Sequence, residues 1–167
     1  MEKLTLTQLR EFAIEQIERE EKIEKDEIVF KVNGKNHYVT IDKTFSDRKL
    51  DMVAKELTNG IVNIFHLYED DMEKGTTYMS FLPTALLIKH FTSIEVPTET
   101  LFTEQLKRYL EINDVIIQLK DEETGNSLAS LIFNMMEADE IKKLNKLIND
   151  IKDDLVKALK GEKEDDK

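Results

Sequence analysis

Residues 26–41 hold the chain's one β-like pattern of apolar and polar positions. Asp26-Glu27-Ile28-Val29-Phe30-Lys31-Val32 runs into Asn33-Gly34, and Lys35-Asn36-His37-Tyr38-Val39-Thr40-Ile41 runs out. Asn-Gly suits a two-residue type I′ turn, because both central positions need φ > 0. Such a turn pairs Val32 with Lys35, Phe30 with His37 and Ile28 with Val39. Ile28, Phe30, Val32, His37 and Val39 then share one face, and an isolated hairpin needs such a face covered. The two edges can also accept another strand, with Lys31 and Lys35 as partial protection.

The other periodic segments read as helices. Thr5 caps the first, Gln8 completes a capping box, and Leu4 and Leu9 form a hydrophobic staple. Leu6, Leu9, Ala13 and Ile17 make its stripe. Residues 18–25 are charged except for Ile23 and read as a solvated helix end or a mobile lead-in. Ser46 caps a second helix, with Phe45 and Leu50 as its staple. Leu50, Val53, Leu57, Ile61, Ile64 and Tyr68 stay in phase across Asn59-Gly60. That favours one continuous helix, with the glycine costing about 1 kcal/mol relative to alanine, a break at Asn59-Gly60 being the alternative. Residues 69–75 read as an acidic loop.

Pro83 lacks a backbone N–H donor and is tolerated in a first turn, which starts the third helix near Ser80. This segment is apolar on more than one face and predicts a central, buried helix. A fourth helix runs from Thr98, with Phe102, Leu106, Tyr109 and Leu110 inward. Residues 115–119 extend it, a third strand being the alternative for so short a β-branched run. Asp121 to Asn126 is a turn. Ser127 to Met136 is a short helix with Leu128, Leu131, Ile132 and Met135 inward. From about Asp139, Ile141, Leu144, Ile148, Ile151 and Leu155 recur at three and four residues, a coiled-coil-like seam too short for a free-standing coiled coil. The expected fold is α+β and predominantly α-helical, with one hairpin at about 26–42 packed against five to six helices. Residues 1–160 read as a single domain and 161–167 as a disordered acidic tail.

Composition narrows the functional classes. Hydrophobic residues make up 40% and charged residues 35%, a wet but foldable balance. The net charge of −11 repels phosphate, which disfavours nucleic acid and anionic membranes as partners. The same acidity serves solubility, or else presents acid to a basic partner. No apolar run approaches the roughly 20 residues that span a bilayer. With no cysteine there is no disulfide or thiolate site, which fits a cytoplasmic location.

Chemical signatures are sparse. His37, His66 and His90 fall on three different elements, and the one local pair is His66 with Asp70. Zinc wants three or four placed ligands, so no metal site is expected. The acidic runs at 70–71 and 121–123 lack EF-hand spacing. Neither a Gly-x-Ser-x-Gly elbow nor a glycine-rich phosphate loop is present. The expectation is no enzyme, no catalytic residue and no cofactor. An acidic inhibitor mimicking nucleic acid and a small enzyme with a carboxylate–histidine site are the alternatives. The seam Ile141, Leu144, Ile148, Ile151 and Leu155 either packs on its own domain or serves a protein partner or self-association. We take it as the candidate partner-binding surface.

Phe30-Lys31-Val32-Asn33-Gly34-Lys35 in a hairpin, and residues 87–97 (Leu87 to Pro97) ahead of another helix, resemble small tail-assembly proteins of phages and prophages in Gram-positive bacteria. The resemblance spans about residues 25–120. It implies a small, acidic, largely helical chaperone that has no active site and binds other tail proteins. The long C-terminal helix has no counterpart in it.

Overall fold

The computed structural model describes residues 23–162 and, before them, Thr5, Thr7, Arg10, Glu11, Ala13, Ile14 and Glu15; at 156 and 159–162 it describes the backbone alone. The fold is α+β and mostly helical. A hairpin of β1 (Lys25–Val32) and β2 (Lys35–Asp42) is followed by α1 (Asp47–Leu67), α2 (Met72–Phe91), α3 (Phe102–Gln118), α4 (Leu128–Met135) and α5 (Ala138–Glu162). Thr7, Arg10, Glu11, Ala13, Ile14 and Glu15 are helical and exposed. The expected box and staple residues Leu4, Gln8 and Leu9, the stripe residues Leu6 and Ile17, and residues 18–22 and 163–167 lie outside the described residues. Helix α5 runs two residues into the stretch expected to be tail, through Glu162.

The hairpin has the expected register. Val32 pairs with Lys35, Phe30 with His37 and Ile28 with Val39. Asn33 and Gly34 take φ of 52° and 71°, as a type I′ turn demands. Ile28, Phe30, Val39 and Ile41 are buried, and the face they form joins the main core. Both edges are tied to the rest of the chain. Lys31, whose backbone points away from β2, donates N–H to Asp121 Oδ1 at 2.7 Å and accepts from Glu122 N at 3.0 Å. On the opposite edge, Thr40 N donates to Ser93 Oγ at 2.9 Å, and Ser93 N donates to Thr40 O at 3.0 Å. The edges that looked free for a partner strand are thus occupied at these points by the chain's own loops.

Ser46 caps α1 by accepting from Lys49 N, and α1 passes through Gly60 without a break. The reason lies across the interface. A Cβ on Gly60 would sit 2.6 Å from Leu82 Cδ2, so the glycine lets α1 and α2 approach closely. Helix α2 starts at Met72, eight residues before the expected start at Ser80, and carries Pro83 in its interior. Asp71 caps it by accepting from Lys74 N at 3.2 Å. The run Gly75-Thr76-Thr77 is a poor helix former, yet Gly75 fits beneath Tyr68 of the preceding turn, where a Cβ would approach Tyr68 Cβ at 3.2 Å. Tyr78 stacks on Tyr68 at 5.1 Å between centroids. Packing at the α1–α2 turn therefore overrides local propensity.

Helix α2 is the buried centre: Leu82, Ala85, Leu86, Leu87, Ile88 and Phe91 are all within 2% of complete burial. Helix α1 packs on one side of it, α3 on another, and the hairpin meets its end through the Ile41–Thr92 bridge. Helix α3 begins at Phe102, after Thr98. Buried Gln105 holds the intervening loop, accepting from Glu99 N at 2.7 Å and donating to Pro97 O at 3.1 Å. Residues 115–118 are helical, which removes the third strand. In the short helix α4, Leu128 and Ile132 are buried, but Met135 is 40% exposed and Met136, just past the helix, is buried in its place.

The close approach at Gly60 yields a test. Gly60→Ala gains about 1 kcal/mol of helix propensity but crowds fully buried Leu82, and overpacking costs about 1–3 kcal/mol. We expect a net loss of about 1 kcal/mol in urea unfolding, turning to a gain when Leu82→Val makes room.

Candidate functional site

The C-terminal seam divides along its length. Glu140, itself buried, accepts from Phe45 N at 2.7 Å and pins the start of α5 to the start of α1. Leu144 and Ile148 are then buried in the core, and Ile141 and Ile151 pack on it half-buried. This part of the proposed partner surface is packed within its own chain. Leu155 is half-buried and faces outward into a groove.

That groove lies above α1, with α2 and α5 as its walls, and has a volume of about 650 Å³. Its floor is Ile61, Val62, Phe65 and His66, one face of the last turns of α1. Met72, Thr76, Met79 and Ser80 line the α2 side at spacings that put all four on one helical face. Lys152, Leu155 and Ala158 line the α5 side. Val62 is 37% and Met72 48% exposed, so apolar area on the groove stays in contact with solvent. Unbranched methionines adapt their shape to what they meet. A second, smaller hollow of about 350 Å³ runs along α3 by Leu110 and Val115 and is bordered by Lys107, Glu111 and Asp114.

Polar chemistry gathers elsewhere, where α1, α2 and α3 meet. Glu56 Oε2 accepts from Lys89 Nζ at 2.7 Å and from Tyr109 OH at 3.2 Å, and Glu56 Oε1 lies 3.1 Å from His90 Nε2. Burial pushes the Glu56 carboxyl up, but the hydrogen bonds and charges of His90 and Lys89 outweigh it and hold its pKa at about 2. Burial, reinforced by the neighbouring carboxylate, raises the Tyr109 phenol well above its ordinary value. Both oxygens of Glu56 are thereby engaged by side chains of the chain itself. The cluster lines neither groove.

The three histidines stay apart. His37 stacks on Phe30 in the hairpin, His66 lines the groove, and His90 joins Glu56. The expected local pair of His66 with Asp70 does not share a helical face, because α1 ends at Leu67. Among the described residues no group of three or more His, Asp or Glu is arranged to hold a metal ion. No described helix is long and apolar enough to cross a membrane.

Sequence reading missed the groove and the Glu56 cluster. The available signal was surplus apolar residues, Val62, Met72 and Met79, lying off the inward stripes. No family model matches the chain, and comparison with curated proteins and with solved structures gives no match.

Two tests follow. Leu144→Ala should cost about 2–4 kcal/mol in denaturant unfolding, as large-to-small core changes do, and Leu155→Ala less than about 1 kcal/mol. Equal costs would contradict the division of the seam. Because folding depresses the Glu56 pKa, its contribution to stability is present above about 4.5 and is lost as pH falls toward about 2. Glu56→Gln should lose about 1–2 kcal/mol at pH 7, the worth of charged hydrogen bonds reduced by partial exposure. Its stability should also vary less with pH across that window. Parallel pH profiles for the two proteins would sink this account.

Proposed function

We propose that this chain is a non-enzymatic, cytoplasmic protein-binding module that takes a helical segment of another protein into the groove between α1, α2 and α5. One observation carries the reading: the described residues leave a trough of about 650 Å³, mostly apolar, open between three helices. Exposed apolar area of this kind, rimmed by polar residues, marks interaction sites. Helix-in-groove recognition uses such a trough, with anchors spaced three and four residues apart. The resemblance of residues 30–35 and 87–97 to tail-assembly proteins makes a phage or prophage assembly factor the specific form of this proposal.

Two observations favour binding over the alternatives. The carboxylate–imidazole pair of Glu56 and His90 is saturated by Lys89 and Tyr109 and lines neither groove. A mimic of nucleic acid wants carboxylates gathered on one face, whereas many here pair with the chain's own cations. Glu24 and Asp26 hold Lys43 at the hairpin base, Glu99 and Glu111 hold Arg108 on α3, and Asp139 holds Lys142 on α5.

A photo-crosslinking residue placed at Val62 should give an adduct with one discrete partner in cells of the native source. The same residue at exposed Val115 should not. Equal labelling from both positions, or none from Val62, counts against the proposal.

A further inference from the structure

The groove has an electrostatic end. Where α1 gives way to α2, Glu69, Asp70, Asp71 and Glu73 are exposed within five residues of one another, against a single neighbouring cation, Lys74. Asp71 is engaged as the cap of α2. Lys74 lies over the Tyr68 ring, 5.3 Å from its centroid. Among the described residues no lysine, arginine or histidine lies within ion-pair reach of Glu69, Asp70 or Glu73. Glu69 and Asp70 come three and four residues after His66 of the groove floor, and Glu73 adjoins Met72 of its wall. These uncompensated carboxylates raise the negative potential at this end of the trough, on a chain whose net charge is already −11, while Lys152 on the α5 side is the one lysine among the described residues of the lining.

We infer that the groove's occupant is a basic amphipathic helix, its apolar stripe seated on Val62, Phe65, Met72, Met79 and Leu155 and its lysines or arginines meeting Glu69, Asp70 and Glu73. This rests on the docking proposal above and names the chemistry of the partner. The apolar stripe supplies affinity. The charges supply orientation and a fast encounter, and they disfavour an acidic helix through like-charge repulsion. A second copy of this chain is a poor occupant on the same ground, being itself strongly acidic.

The test uses the full chain and two synthetic 18-residue helical peptides with the same leucine stripe, one carrying lysine and the other glutamate at all remaining positions. Fluorescence anisotropy at low salt should give the leucine–lysine peptide at least tenfold tighter binding, weakening as salt rises. Val62→Asn with Met79→Asn, which leaves the net charge unchanged, should weaken that binding about tenfold. Glu69→Gln, Asp70→Asn and Glu73→Gln together should weaken it several-fold more than Glu27→Gln, Glu95→Gln and Asp114→Asn, which remove the same charge from exposed sites elsewhere. Thermal melts of each variant establish that it is folded.

Equal effects of the two charge sets, or no effect of the groove pair, would reduce the attraction to overall charge and overturn the inference. If the glutamate peptide binds as tightly and the groove pair abolishes both, the groove docks helices whatever their charge, and only this inference falls. If neither peptide binds, the docking reading falls with it. Concentration-dependent self-association, reversed by the groove pair in light scattering, would assign the groove to a second copy and overturn the basic-helix partner.

Discussion

The second half of helix α2, from Phe81 to Phe91, is buried on nearly every side, and the described architecture is the means of covering it. Leu82 and Leu86, Ala85 and Ile88, and Leu87 and Phe91 point in different directions, yet each is buried. No single neighbour can cover such a surface, so α1, α3 and the hairpin each take a sector. Fully burying a leucine or phenylalanine side chain is worth about 1.5–3 kcal/mol, which offsets the unfavourable residues α2 carries. Pro83 removes a backbone donor from the helix interior, and Gly75 lowers its helix propensity. Gly60 belongs to the same arrangement, since the close approach of α1 to Leu82 leaves no room for a methyl group.

Apolar contact does not by itself set directions, and a few polar ties do so. Asp121 and Glu122 hold one hairpin edge at Lys31, and Ser93 holds the other at Thr40. Thr124 donates to Asp121 Oδ2 through both its backbone N–H and its hydroxyl, and these bonds with that from Lys31 N hold the Asp121 carboxyl below its usual range. Glu56 joins three helices at one point. Glu140 orients α5 along α1 from its first turn. Among the described residues no buried side-chain nitrogen or oxygen is left without a partner, so these ties stabilise without leaving desolvated groups behind.

The groove follows from this arrangement. Helix α5 is anchored at its start and packs on α1. Its later turns and the first turns of α2 stand on either side of α1, and the floor between them remains open. The groove is a space left by packing, not a sequence motif. The acidic turn at its end adds direction, because the α1–α2 connection must lie at the end of both helices.

What the sequence determined by itself was local. The hairpin's register and turn were legible because Asn33-Gly34 admits positive φ and a two-residue loop permits one alignment of Ile28, Phe30 and Val39. The cap at Ser46, the continuity of α1 through Gly60 and the α-helical reading of 115–118 were legible because they depend on residues within a turn or two. The tertiary structure decided what depends on distant residues. It extended α2 back to Met72, because Ile64 of α1 and Tyr68, just past its end, cover Gly75. It exchanged Met135 for Met136 where α4 ends, closed the hairpin edges with loops far along the chain, and brought Glu56 to Lys89, His90 and Tyr109. It also divided one continuous seam into buried Leu144 and Ile148 and groove-lining Leu155. Periodicity tells which face of a helix is apolar, but what covers that face is settled only when the other helices arrive.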